Sequence, residues 1–334
     1  MNSLSKFLSR SAFTLVSLGI AAVPAHALNI TTTGDPNDLV NTILGGGITL
    51  SNATYTGAPD ASGTFINGLS SGIGIDRGII LTTGFATRLA TGTVTPLPEE
   101  PGVDFFDVFY DPLGEDNLAT GDDDLSNLIG QDTINASVLE FDFISETGDL
   151  FINYVFASQE YPIFVNSRFN DLFAFFLEGE NLERINIALI PGTTTPVSIN
   201  TVNNGNPNPQ RPNDNTVATN PEFFNNNNTG NFNNGFNGFT EVFTAQATGL
   251  VPGDTYKIKL AIADVFDQFF DSAVFIESGS FSDTPVEPEL PVTPETPVTS
   301  VPEPTTILGL LALGAFGIST DLKRKQKHKA VSTF

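Results

Sequence analysis

Asp264, Asp267 and Asp271 follow one another at intervals of three and four residues, and a second polar stretch carries Glu160, Asn166, Asn170 and Asp171. Oxygen-rich side chains gathered on neighbouring loops are what a hard cation takes, and Ca2+ uses six to eight oxygen ligands at about 2.3–2.6 Å. Like charges that would otherwise repel are accounted for if they hold an ion. The candidate metal ligands are therefore Glu160, Asn170, Asp171, Asp264, Asp267 and Asp271, with Ca2+ as the cofactor. The competing reading is that these side chains accept from loop backbone N–H groups in Asx turns, as Asp and Asn do generally. Asp122-Asp123-Asp124 lacks the alternate spacing of an EF-hand loop; adjacent carboxylates cannot all face one ion, and the run reads as solvated.

Other chemistry is closed off by composition. The chain has no Cys, and its two His, His26 and His328, lie near its ends. Between them a Ser-His-Asp triad, a Cys-His pair and a His-ligated zinc site each lack a required residue. Carboxylate acid–base chemistry and cation binding survive. Glu160 and Asp264 could be cast as the pair of a carboxylate-based polysaccharide hydrolase, which needs two carboxyls about 5–10 Å apart across a cleft. We read the body instead as non-catalytic, with that hydrolase as the alternative. Tyr154, Tyr161, Phe164 and Phe169 would make a sugar-stacking platform if exposed, although core packing is the default at strand spacing. From Leu28 to Pro302 there are 36 Asp and Glu against seven Lys and Arg, which repels phosphate and excludes nucleic acid as a partner.

The elements that must position these residues are strands. Candidates are 48–55, 78–82, 137–144, 149–157, 172–178, 186–190, 239–247, 255–264 and 273–279. Leu139, Phe141 and Phe143 alternate with Val138, Glu140 and Asp142, the period of a sheet with one wet face. Tyr256, Ile258, Leu260 and Ile262 alternate in the same way with Thr255, Lys257, Lys259 and Ala261. Many short strands with no helical period between them predict an all-β fold, an antiparallel β-sandwich of jelly-roll-like form with long polar loops. One short helix is expected where Asp35 and Pro36 precede Leu39, Val40, Ile43 and Leu44, ending at Gly45-Gly46-Gly47. The stretch 99–132 reads as a long surface loop. The fifteen Asn between Asn203 and Asn237 read as an insertion too polar to bury. Residues 282–300, rich in Pro, Thr, Val and Glu, read as a stiff stalk.

Both ends speak of export. Lys6 and Arg10, the apolar run 12–23 and Ala25-His26-Ala27 form a secretory signal helix over residues 1–27, so the mature chain begins near Leu28. Near the other end stand Val301, Pro302, Glu303 and Pro304, an apolar run 305–319, and the basic cluster 323–329. As a transmembrane helix the run would reach about 22 Å, short of a ~30 Å hydrocarbon core, and its basic flank would stay cytoplasmic. This tripartite tail resembles a PEP-CTERM sorting signal. The resemblance implies an exosortase-type processing enzyme as partner and attachment at the cell surface, with membrane anchoring by the helix at least until processing.

Further segments resemble the choice-of-anchor L domain: Gly78-Ile-Ile-Leu-Thr-Thr-Gly84, Val138-Leu-Glu-Phe-Asp-Phe143, Tyr154-Val-Phe-Ala-Ser-Gln-Glu-Tyr-Pro162 with Phe169-Asn-Asp171, Asn186-Ile-Ala-Leu-Ile-Pro-Gly192, and Leu260-Ala-Ile-Ala-Asp264 with Asp271-Ser-Ala-Val-Phe275. The likeness spans about 40–279 and supplies no molecular activity. Gln159 stands where it leads us to expect Glu, which weakens any charged ligand there. The expectation is an exported, surface-displayed binding or structural module of the extracellular matrix. Ca2+-stiffened loops at one end of its sandwich would support adhesion to extracellular polysaccharide, cell-surface glycan or neighbouring cells.

Overall fold

A computed structural model of the protein describes residues 27–90, 119–206 and 216–288. The signal segment 1–26, the sorting motif at Pro302, Glu303 and Pro304, the run 305–319 and most of the stalk lie outside these residues. The chain divides into two units, Met1–Pro291 and Val292–Phe334, and the described residues all belong to the first.

Two antiparallel sheets make up the fold. The larger has, in spatial order, β1 (Asn29–Thr32), β3 (Ser62–Ile66), β4 (Gly78–Thr82), β13 (Ser272–Glu277), β6 (Leu150–Ser158), β10 (Gly238–Thr240) and β9 (Phe224–Asn226), while β11 (Phe243–Ala247) also pairs with β6. The smaller runs β2 (Ile48–Thr56), β5 (Thr133–Ser145), β12 (Thr255–Val265), β7 (Leu172–Gly179) and β8 (Leu182–Asn186). Leu139, Phe141 and Phe143 of β5 and Ile258, Leu260 and Ile262 of β12 turn inward as their alternation predicts. They share one core with Ile152, Tyr154 and Phe156 of β6. Edge-to-face aromatic pairs fill it, among them Tyr154–Phe173 with ring centroids 5.0 Å apart and Phe141–Phe281 at 5.0 Å.

The outer faces are drier than a single alternation implies. Asp122 caps α3 (Asp123–Ile129), following α1 (Pro36–Ile43) and the single turn α2 (Gly68–Ser71) in the chain. This helix corrects the loop reading over 123–129 and the reading of the triple Asp as merely solvated, while 99–118 lie outside the described residues. Asp122 Oδ1 accepts from the N–H groups of Asp124 and Leu125, and Leu125 then packs on Val138, Ala174 and Ala261 of the smaller sheet. The Lys259 ammonium pairs with Asp122 and Asp124, and Arg184 pairs with Asp124 and Glu178. The larger sheet is covered too: Phe232 and Phe236 of the Asn-rich stretch pack on Val155 and Phe275. Asn203, Asn206, Asn227, Asn234 and Asn237 are buried, so that stretch is not too polar to bury. Its amides bond the backbone instead; Asn227 Nδ2 donates to the Phe236 carbonyl at 2.8 Å.

α1 is capped as expected, Asp35 Oδ1 accepting from the Asn37 N–H. Several strand bounds differ from expectation, and at two of them a side chain takes a backbone partner in place of a ladder bond. The stretch expected as a strand over 186–190 is not one: β8 lies before it, at Leu182–Asn186, and ends where Asn186 Oδ1 accepts from the N–H groups of Phe175 and Ala188. Thr240 Oγ1 accepts from the Phe156 N–H, and the stretch 239–247 splits into β10 and β11.

Candidate functional site

One end of the sandwich is built from the C-terminal ends of β4, β6 and β12 and the N-terminal ends of β5, β7 and β13. Asp264 lies near the end of β12. In the antiparallel β12–β7 pair Ala263 stands opposite Leu172, so the next step sets Asp264 across from Asp171. Asp271 immediately precedes β13, and Glu160 lies two residues past β6. All four carboxyls are buried, at 1 % exposure for Asp171, Asp264 and Asp271 and 2 % for Glu160.

Each is held by its surroundings. Asp171 Oδ1 accepts from the Val265 N–H at 2.9 Å and Oδ2 from the Ser272 hydroxyl at 2.7 Å, whose oxygen lies 2.9 Å from Ser158 Oγ. Asn135 Nδ2 donates to Asp264 Oδ2 at 3.0 Å. That reach depends on an irregularity: the β12–β5 register shifts between Ile262 and Asp264, and Asn135 takes a left-handed φ of 52° in the shifted strand. The Thr83 hydroxyl lies close to Asp264, yet no well-formed hydrogen bond reaches Asp264 Oδ1, which is buried. Gln159 clamps the Asp271 backbone, donating from its own N–H to the carbonyl and accepting the N–H on Oε1, while Nε2 donates to Gly235. A Glu could not make that last bond, which gives the amide at 159 a structural reason.

The electrostatics follow from burial. Loss of water pushes the Asp171 carboxyl up to about 7, against the lowering effect of its Ser272 and Val265 hydrogen bonds. Burial also pushes Asp264 well above the ordinary carboxylate range, and the charges of Asp171 and Asp271 push it the same way. Tyr161 is raised by burial and by the Asp171 charge. No Lys or Arg among the described residues forms an ion pair with Asp171 or Asp264.

The six expected ligands thus divide. Asp171, Asp264 and Asp271 come together, and Glu160 lies at the same end with its N–H bonded to Ser158 Oγ. Asn170 Oδ1 accepts from the Asn200 N–H at 2.8 Å, and Asp267 Oδ1 from the Phe269 N–H at 3.2 Å, the backbone role of the competing reading, while the Asp267 charge also pushes the Asp171 carboxyl up. Among the described residues no three His, Cys, Asp or Glu side chains are grouped closely enough to hold a metal by themselves. Ser158, Ser272, Thr83 and Asn135 escaped the sequence reading because hydroxyls and amides inside strands carry no spacing signal.

Above this cluster the β12–β13 loop carries Phe266 and Phe269, 53 % and 52 % exposed. Phe266 has a φ of 84°, an outlier for a bulky side chain, and the Arg168 guanidinium lies 3.5 Å from its ring centroid. Tyr154, Tyr161 and Phe169 are buried, so they pack as core, the default at strand spacing, and form no sugar-stacking platform. The opposite end holds the way out toward the stalk. Phe151, at the start of β6, exchanges both backbone hydrogen bonds with Ser282, and Asn153 Nδ2 donates to Glu277 Oε2 and to the Val286 carbonyl, each at 2.7 Å.

No described helix is long and apolar enough to cross a membrane. Comparison with curated proteins and with solved structures gives no match. A family model for the PEP-CTERM protein-sorting motif matches residues 300–320, a recognition signal for exosortase processing, which makes this an exported, surface-associated protein. The model for the choice-of-anchor L domain matches residues 28–282, from the first buried leucine to the serine that pairs with β6, and the chain belongs to that family.

Proposed function

We propose that the sandwich is a non-catalytic display module of the cell surface that adheres to extracellular glycan through the β12–β13 loop. The observation carrying this reading is the separation of the two ends of β6. Ser282 and Val286, on the way to the sorting motif, bond at Phe151 and Asn153, whereas the loop with Phe266 and Phe269 leads into Ser272, which pairs at Ser158. Seven residues of strand are roughly 23 Å at about 3.3 Å each. A chain tethered by the first end offers the other to its surroundings. Exposed aromatic faces suit the C–H faces of sugar rings, and an acidic body does not suit a nucleic acid or an anionic lipid. The hydrolase alternative meets a steric objection, because Glu160 and Asp264 are buried and a polysaccharide chain cannot lie between them as they stand.

The test is retention of the full-length protein on insoluble extracellular polysaccharide from a producing culture. Replacing both Phe266 and Phe269 by Ser should cut retention at least tenfold while leaving thermal unfolding unchanged. Equal retention of the variant would remove the loop from the reading, and release of reducing sugar by the wild type would replace it with the hydrolase.

A further inference from the structure

We propose that the buried cluster beneath this loop takes a divalent cation, Ca2+, held directly by carboxyl oxygens of Asp264 and Asp171. Asp264 Oδ1 is buried and receives no well-formed hydrogen bond, its near neighbours being the Thr83 hydroxyl and the Asp171 carboxyl, although Oδ2 of the same carboxyl is bonded by Asn135. Buried polar atoms are almost always satisfied, so an orphan of this kind marks a missing partner of opposite character. Its neighbours make that character positive. Asp171 stands across the strand pair, Asp271 adds a third charge of the same sign, and no Lys or Arg of the described residues forms an ion pair with Asp171 or Asp264.

Gly84 supplies a second sign of construction. A Cβ there would lie 2.0 Å from Asp271 Oδ2 and 2.1 Å from Cγ, so the missing side chain at 84 is what lets the Asp271 carboxylate seat itself against the β4 end. Beside the two carboxyls stand further hard oxygens, the hydroxyls of Ser272 and Thr83. With two carboxylates as direct ligands, hydroxyls and water complete the shell. An irregular oxygen set suits Ca2+, whereas Mg2+ demands a near-ideal octahedron. This site stands independently of what the loop above it binds.

The experiment is thermal unfolding of the chelator-stripped, full-length protein in mild detergent, with and without CaCl2. Saturating Ca2+ should raise the midpoint of the wild type by about 5 °C or more at a hundredfold excess over Kd. Asp264→Asn should lose the shift, and Asp254→Asn, in the exposed turn before β12, should keep it. No shift in the wild type would mean that a proton alone neutralises the pair, and an undiminished shift in Asp264→Asn would place the ion elsewhere; either overturns the proposal. A wild-type measurement guards against a variant that does not fold. The chain has no Trp, and Tyr161 feels the Asp171 charge, so Tb3+ in the site should emit on tyrosine excitation and lose that emission to added Ca2+. Absence of that emission counts equally against the site.

Discussion

Asp171 and Asp264 face each other from adjacent strands of the smaller sheet, one step past the Ala263–Leu172 pair, and both carboxyls are sealed from solvent. The Val265 N–H donates to Asp171, so the residue after one acid supports its partner. Two like charges in this position are stable only with a proton or a cation between them.

Without a cation, the pair should make stability fall as pH rises. The Asp171 carboxyl is raised to about 7, above its unfolded value near 4. Between those values the native state keeps a proton that the unfolded chain has released, so the contribution is full below about pH 4 and lost as pH passes 7. In chelator, the loss of stability between pH 5 and pH 8 in urea unfolding should be larger in the wild type than in Asp264→Asn, which keeps the burial of Asp171 but not the second raised carboxyl. An equal difference in the two proteins would show that the acids do not interact.

Gly84→Ala probes the seat of Asp271. The added methyl must displace a buried carboxylate rather than the end of a mobile chain, so we expect a loss of about 1–3 kcal/mol by denaturant unfolding. Any Ca2+-dependent gain in stability should shrink with it. A neutral substitution would mean that the Asp271 side chain turns away at no cost.

Much of the scaffold was legible because alternation is a backbone property. Leu139, Phe141 and Phe143 announce which face of β5 is inward without reference to anything else. The coverings were not legible in that way. Val138 and Ala261 lie on the nominally wet face and are buried because Leu125 lands on them, and α3 was hidden in a run of acids whose first member is its cap. Asp264 and Asp171 were found as acids near strand ends. Nothing local distinguished them from Asp267, which serves its own loop, since their difference is a cross-strand register.

The acid run should matter through that helix. The Lys259 Nζ lies 2.7 Å from Asp124 Oδ2 and also pairs with Asp122. Burial alone would lower the Lys259 pKa, but the hydrogen bonds to Asp122 and Asp124 carry it upward, so the ammonium form is favoured. Lys259→Met should cost about 1–3 kcal/mol and Asp122→Ala about 1–2 kcal/mol. A double-mutant cycle should find them coupled by at least about 0.5 kcal/mol. Additive effects would contradict the joint role of cap and ion pair.

Asn153 should fasten the exit toward the stalk. Its amide donates to Glu277 and to the Val286 carbonyl and accepts from Thr244, so Asn153→Ala frees the segment after Ser282. Limited proteolysis should then cut within residues 283–288 at least tenfold faster, with the Ca2+ response unchanged. Unaltered cleavage would mean that the Phe151–Ser282 pairing suffices alone.

The most direct measurement of the whole account uses the absence of Cys from the chain, which makes an introduced thiol unique. Cells producing the full-length protein with Phe269→Cys are treated with a membrane-impermeant maleimide. The account predicts labelling on intact cells, since Phe269 is exposed on the loop remote from the stalk exit of an exported protein. Labelling only after lysis would contradict it.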